Sequence, residues 1–541
     1  MTDDSERQVF TRVLDALLRE DHLGLTSRGR ADGPDWWQAP HPAGLLRIPV
    51  RPDGFQHSVR TAAPVLHVVP PDGRAHRVDT LDALLALLAP HDDPDAEAGW
   101  HTFTAECHDD LRARRLADGA RARVHAAVAA RRRNAPNGMA GAVLDDVLAA
   151  HAGHPVYPTD RCRHGLADDD LRRYAPEHAP SFPLRWHPTP VETVQLTGEL
   201  PPWWPRAERP GQFLMPTHPL TAARRGLPVV DAPPITVRPT LSMRTVALDG
   251  DPYTHLKLPL PTAALGARNR RTLAAGTLAD GAAVAGLLHR IAAAEPAFAG
   301  RIHHADEGTY AETGDEWLAF LLRRFPHHLA GVQVVPVAAL AAADPVAGTV
   351  AERISPGAVG PLLEAYLDLL VDWHVCLWLR HGVALEAHPQ NIHLLRRPDG
   401  SVGLLYKDND GARLDRRHRG SGGLSLSDER MWTHDPGELA DVFVTITVHL
   451  AAAAPLLALA ARGVPVPSPA TALAPRLAAA RDRWGAGPAA RIFTARVLDA
   501  PRLPVKAMLT AGTLLPKQRL GATDVNKYYR RTGPNYLRGA P

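Results

Sequence analysis

The chain is poor in cysteine, in aromatic side chains and in net charge. Its 541 residues include 3 Cys, 6% aromatics, and 61 Lys and Arg against 58 Asp and Glu, a formal charge of +3. Cys107, Cys162 and Cys376 show no paired spacing, which argues against a disulfide framework. The near balance of charge gives no case for a nucleic-acid protein. Arg131-Arg132-Arg133 closes a helix-like run from Leu111, where cations complement the helix dipole, and reads as that rather than as an RNA patch. No targeting segment is visible. The N-terminus is acidic and starts an amphipathic helix with Val9, Val13, Leu14, Leu17 and Leu18 on one side. The most apolar run, Leu450 to Ala461, is too short to span a bilayer, contains Pro455 and reads as a buried helix. The expectation is a cytoplasmic protein with neither membrane nor nucleic-acid partner.

What is present fits large cores. Hydrophobic residues make up 45% and charged residues 22%. At roughly 150 residues per domain, three domains are expected, divided at 1–135, 136–330 and 331–541. The first opens with a helix, continues with a hairpin about Pro70-Pro-Asp-Gly73, then helices from Leu81 and Leu111. Trp36-Trp37 and Trp203-Trp204 lie among Pro and Gly and read as loop anchors, and Arg133 to Gly138 as a linker. The second carries strands, with helices near Ala282–Ala293 and Trp317–Arg324. The third is mainly helical. The class is α+β. Arg417 to Gly423 is Gly-rich but opens no βαβ unit, and reads as a loop over the site.

Residues 381–411 hold the densest chemistry. Pro398-Asp399-Gly400 supplies a turn between two apolar runs of strand length, Ile392–Leu395 and Val402–Tyr406. Folding about it brings Gln390 and Asn391 opposite Tyr406 to Asp408. One hairpin end then collects Glu386, His388, Gln390, Asn391, Lys407, Asp408 and Asp410. Hard oxygen donors beside cations suit Mg²⁺ with a polyphosphate. A zinc site from Glu386, His388 and His393 is a weaker rival, since its spacing matches no usual ligand pattern.

The run Glu386-Ala-His388-Pro-Gln390-Asn391, followed by Lys407-Asp408-Asn409-Asp410-Gly411, resembles the IucA/IucC family, siderophore synthetases that work independently of nonribosomal peptide synthetases. Three further blocks occur in order. Gly153-His154-Pro155 to Leu166 resembles the family's phosphate loop, with Tyr157, Arg161 and Leu166 replacing its second His, Lys and Phe. Met215-Pro-Thr217-His218-Pro219 resembles Pro-x-His-Pro, where His218 is equally readable as structural. Pro239 to Val246 resembles Ser-x-Arg-Thr, and His255-Leu-Lys257-Leu-Pro-Leu260 and Thr262 to Leu273 follow it. Leu503 to Leu509 and Gly533-Pro534-Asn535 resemble the last segment.

That resemblance implies a cupped-hand architecture: an N-terminal helical thumb-like domain, a central β-rich fingers-like domain and a helical C-terminal palm-like domain, with ATP between the last two. It implies ATP contacts from His154, Thr159, Arg161, Arg163, Ser242, Arg244, Lys257, Gln390, Asn391 and Asp408. It places Mg²⁺ on Glu386, Asn391 and Asp408. A citrate-like acid would meet Ser242, Arg244, Thr245, Asn269, Arg270, Arg271 and His388, with Arg271 favoured among the arginines of 268–271. Catalysis would fall to His388, Arg271 and Lys257, in a homodimer. The implied reaction is AMP-forming ligation of a carboxylate to an amine, hydroxamine or alcohol. Two other readings stay open. One is a kinase-like phosphotransferase, since the spacings Glu386 to Asn391 and Asp408 to Gly411 resemble catalytic-loop and metal-loop elements. The other is a non-catalytic siderophore-binding protein. A four-Cys iron–sulfur tail of the kind some relatives carry needs a fourth thiolate. A thiolate nucleophile at Cys162 is not required by the chemistry.

Overall fold

The computed structural model describes residues 3–418, 424–522, 524 and 527–538, so residues 419–423 of the Gly-rich loop lie outside the described residues. The N-terminal part is more than helical. Helix Asp4–Arg19, capped by the Asp3 carboxylate on the Glu6 N–H, buries Val9, Val13, Leu14, Leu17 and Leu18 against a six-stranded sheet within residues 30–78. Trp36 and Trp37 lie on strand Trp36–His41 of that sheet, not in a loop. Bulky aromatics fit a pleated half-buried surface as well as a loop. The hairpin at Leu66–Val69 and His76–Val78 forms as expected. The helix read from Leu111 starts earlier, at Pro94, and runs 39 residues to Arg132. Asp93 caps it and Pro94 occupies the first turn, where a missing N–H costs nothing.

A seven-stranded antiparallel-rich sheet dominates residues 182–324. Its strand Ala319–Arg324 corrects the helix expected at Trp317–Arg324. Both faces of that strand are buried, so its apolar run shows no alternation by which to recognise it. Helix Gly138–Ala152 is buried almost throughout and ends at Gly153. Gly153 has φ +81°, and a Cβ there would collide with the Asp160 carboxylate.

The hairpin forms as read: Ile392–Arg396 pairs antiparallel with Val402–Tyr406, Ile392 opposite Tyr406. The Lys407 N–H donates to the Asn391 carbonyl, which brings the two polar segments side by side. Beyond it, the Leu450–Ala461 run belongs to one continuous helical element, Pro436–Ala460. Its 25 residues are long and apolar enough to cross a membrane, but 89% of its most apolar window is buried inside the protein. Burial, not shortness, marks it as a core helix. It passes through a π-helical stretch, Phe443–Ala453, just before Pro455, where the ladder must omit a donor.

Candidate functional site

A cavity of about 550 Å³ opens between the phosphate-loop block, the 241–277 segment, the hairpin end and the C-terminal segment. His154, Arg161, Arg163, Ser242, Arg244, Asn269, Arg270, Arg271, Glu386, His388, Gln390, Asn391 and Asp408 all line it. Thr159, Thr245 and Lys257 do not line it. Thr159 is fully buried and its hydroxyl donates to Glu106. Thr245 is buried in its strand opposite Lys257. Lys257, 1% exposed, donates to Asp408 at 2.5 Å and Asp410 at 3.0 Å. It acts on the cavity through those carboxylates. Arg270 sits at the rim, paired with Glu316 and lying over the Trp317 ring.

The phosphate loop is held from behind. The Asp160 carboxylate accepts the His154 N–H at 2.5 Å and binds Arg114 and Arg12. The His154 Nδ1 accepts the Tyr157 N–H at 2.9 Å, so this ring organises the loop. Burial pushes His154 down to about 3. Tyr157 turns away, donating its hydroxyl to Glu106 at 2.7 Å. Cys162 is a buried free thiol whose ionisation burial suppresses, so a nucleophilic thiolate is disfavoured there. His218 accepts the Leu220 N–H at 3.1 Å and caps helix Pro219–Arg225, the structural one of its two readings.

Three guanidinium groups in the cavity are held only by carbonyls. Arg163 donates to the Asp160 and Cys162 carbonyls at 2.7 and 3.0 Å, Arg244 to Thr272 at 2.9 Å, and Arg271 to Ala264 at 3.1 Å. No carboxylate lies within ion-pair distance of them among the described residues. Burial, then the Arg244 and Arg163 charges, lowers Arg271 to about 9. A polar cavity with cations that lack carboxylate partners is a receptor for a multivalent anion.

On the opposite wall the carboxylates are already matched. Glu386 accepts Lys506 at 2.8 Å. Burial opposes its ionisation, but Lys506 and Lys527 outweigh that and keep it ionised. Gly411 lets this carboxylate in: a Cβ there would meet Glu386 Oε2 at 2.7 Å. Burial likewise opposes the Asp408 charge, and Lys257, Arg323 and Arg244 overcome it, holding the carboxyl far below its usual range. Asp408 adopts φ +67°, and its N–H donates to Glu307 at 3.0 Å. Glu307 also accepts Arg323 Nε at 2.5 Å. Lys407 is buried, with Asp146 as the chief opposite charge, and does not face the cavity. His393 is 1% exposed on the hairpin's first strand, and among the described residues it does not converge with His388 and Glu386, so the zinc set does not assemble.

Lys506, Lys527, Arg323 and Glu307 were not read as site residues. Lys506 had a signal, since its segment resembles the family's last block. Arg323 and Glu307 had none, being polar residues inside strands.

The oxygen donors fit Mg²⁺ of one kind only. Among the described residues, three His, Cys, Asp or Glu ligand atoms converge only at Glu295, Cys376 and His381, outside this cavity, where Arg380 already pairs with Glu295. The cavity thus holds no ready carboxylate cage. Mg²⁺ needs none, since it keeps waters and binds through one or two carboxylates plus phosphate oxygens. Asp408, with Asn391 and Glu386, would supply the protein donors.

Burial pushes His388 down to about 4, against the pull of Glu386, and its Nε2 lies 3.5 Å from the Asn391 amide. Its imidazole is therefore neutral near neutral pH. We expect no inflection in a pH–rate profile near the ordinary histidine value of about 6.5. A limb there that His388→Gln removes would contradict a neutral His388.

The architecture is shared with solved structures. ATP-bound aerobactin synthetase IucA from Klebsiella pneumoniae superposes with a TM-score of 0.71 at 20% identity, over 99% of this chain and 100% of that one. The chain thus shares that structure's fold. Residues 148–342 match the IucA / IucC family, and residues 362–522 match a second, described as ferric iron reductase FhuF-like transporter. The likeness to the IucA/IucC family thus falls on residues 148–342, which carry the phosphate-loop block and the blocks that follow it. Staphyloferrin A synthase from Staphylococcus aureus is 24% identical over 306 residues, 49% of this chain and 52% of its own length. An uncharacterised protein, y4xN, from Sinorhizobium fredii is 28% identical over 320 residues, 49% of this chain and 50% of its own. The chain spans about half the length of the curated relatives it matches. The FhuF-like match is a family likeness that falls on the C-terminal part of the chain, residues 362–522. That span contains one cysteine, Cys376, which is buried, and cannot supply the thiolates of a four-Cys cluster.

Proposed function

We propose that the chain is an ATP-dependent siderophore-biosynthesis ligase that adenylates a carboxylate of citrate or a related polycarboxylic acid and condenses it with an amine, hydroxamine or alcohol. The observation that carries this reading is the set of three cavity guanidiniums, on Arg163, Arg244 and Arg271, without carboxylate partners. Two anions, a carboxylate and a triphosphate, must approach each other, and fixed cations lower that barrier. Arg163 and Arg161 face the triphosphate, and Arg244 and Arg271 lie between it and the acid, with Ser242 and Asn269 at the acid's edge. Neutral His388 offers a hydrogen bond to the acid's carboxylate or hydroxyl. The acid's oxygen attacks the α-phosphorus and pyrophosphate leaves; the nucleophile then attacks the acyl carbon and AMP leaves. Mg²⁺, when bound, neutralises phosphate charge beside Asp408. In this reading the three segments 1–135, 136–330 and 331–541 act as thumb, fingers and palm, in a cytoplasmic homodimer.

The test is the nucleotide product. With ATP, Mg²⁺, a polycarboxylate and a polyamine or hydroxamine panel, we expect AMP and pyrophosphate in equal amounts, formed only when acid and nucleophile are both present. ADP and phosphate as sole products would favour the kinase-like reading. Tight binding of a siderophore with no nucleotide turnover would favour the binding protein.

A further inference from the structure

Arg161 lines two cavities. Besides the candidate site it borders a second one of about 580 Å³, whose wall includes Arg7, Arg12, Arg114, Arg121 and Arg462 and a single lining carboxylate, Asp4. Some of this charge is matched. Asp160 binds Arg12 and Arg114, Asp110 binds Arg114, and Asp118 binds Arg121. The remainder is not. Arg7 and Arg462 are exposed and have no carboxylate partner among the described residues. Arg161 is 4% exposed. Its Nη2 donates to the His151 carbonyl at 2.6 Å, while its Nε and Nη1 are buried without an acceptor, Asp118 standing 3.9 Å off. Asp160, then Glu177 and Asp110, offset part of the Arg161 charge from nearby. His151, also on this wall, has both ring nitrogens unpartnered.

Buried donors without acceptors are costly and scarce in folded proteins. An anion in the cavity offsets the charge behind them, and the exposed guanidinium forks of Arg7 and Arg462 match phosphate oxygens in pairs. We propose that this second cavity binds a multivalent phosphate anion of the pyrophosphate class, with Arg161 shared between it and the candidate site. The source of that anion rests on the proposed reaction, which releases pyrophosphate on the other side of Arg161; free phosphate is the alternative source of the same chemistry.

The test is calorimetric titration of the full-length chain with pyrophosphate while the candidate site is saturated with a non-hydrolysable α,β-methylene ATP analogue. We expect pyrophosphate to bind alongside the analogue. The double variant Arg7→Ala and Arg462→Ala, both exposed and outside the candidate site, should weaken it at least about tenfold, as loss of charge-assisted contacts does, while leaving analogue affinity within about twofold. A parallel titration with inorganic phosphate decides the source: matching affinity for phosphate would point to the free ion and much tighter pyrophosphate binding to the reaction product. Complete exclusion of pyrophosphate by the analogue, or an unchanged affinity in the double variant, would overturn the proposal. Because the readout is binding, a chain that forms no AMP yet binds pyrophosphate beside the analogue would refute the ligase reading alone.

Discussion

Asp408→Asn should reduce ATP-dependent turnover at least about tenfold, on the order of 1.4 kcal/mol of barrier. The substitution keeps the side chain's size and, because Asn tolerates the left-handed backbone, keeps the φ of +67° at this position. It therefore isolates the charge. Three things depend on that charge. It faces the cavity where phosphate-bound Mg²⁺ would sit. It is the nearest partner of Lys257, at 2.5 Å, and lies 3.5 Å from Arg323. It also offsets the cation field of Arg244 and Arg271. Asp410 still holds Lys257 at 3.0 Å, so the protein should fold. Steady-state kinetics with a Mg²⁺ titration, beside thermal melts, separate the effects. A fallen kcat with a shifted Mg²⁺ requirement and a near-normal melt marks a metal-side role. An unchanged rate and Mg²⁺ titration with a lowered melt would make Asp408 structural only.

The legibility of this site followed the range of its interactions. The 392–406 hairpin was readable because its turn and its two strands are local in sequence, so register follows from Pro398-Asp399-Gly400 alone. The side chains lining the cavity were largely readable because four motif blocks name them. Motifs do not say which side of a strand faces the cavity. Thr159, Thr245 and Lys257 sit inside their blocks and still turn into the protein, toward Glu106, the sheet interior and Asp408. The Arg323 layer was missed for a physical reason. A strand buried on both faces loses the period-2 signal, and an Arg paired with a buried Glu307 looks like a helix-surface residue in a one-dimensional pattern. The same loss of pattern hid the start of the long helix at Pro94, whose buried positions do not follow one face from end to end.

Arg271→Met should lower kcat/KM about a hundredfold, roughly 2.7 kcal/mol of transition-state stabilisation, while leaving the ligand-free protein at least as stable as the wild type. The pairing of these two effects follows from the site's electrostatics. Arg271 is held by one carbonyl at 3.1 Å and by no carboxylate, and burial with the Arg244 and Arg163 charges lowers it to about 9. Its charge is thus unfavourable until an anion arrives. Removing it relieves the empty site and deprives the loaded one. Met keeps much of the stem's apolar contact. A guanidinium keeps its proton across the working pH range, so this cost stays in the empty site as charge and is not relieved by titration. Thermal melts and steady-state kinetics on both proteins check this. A variant that melts several degrees lower while retaining its kcat/KM would show that Arg271 serves to hold the Ala264 carbonyl, and the anion-receptor reading of the cavity would then rest on Arg163 and Arg244.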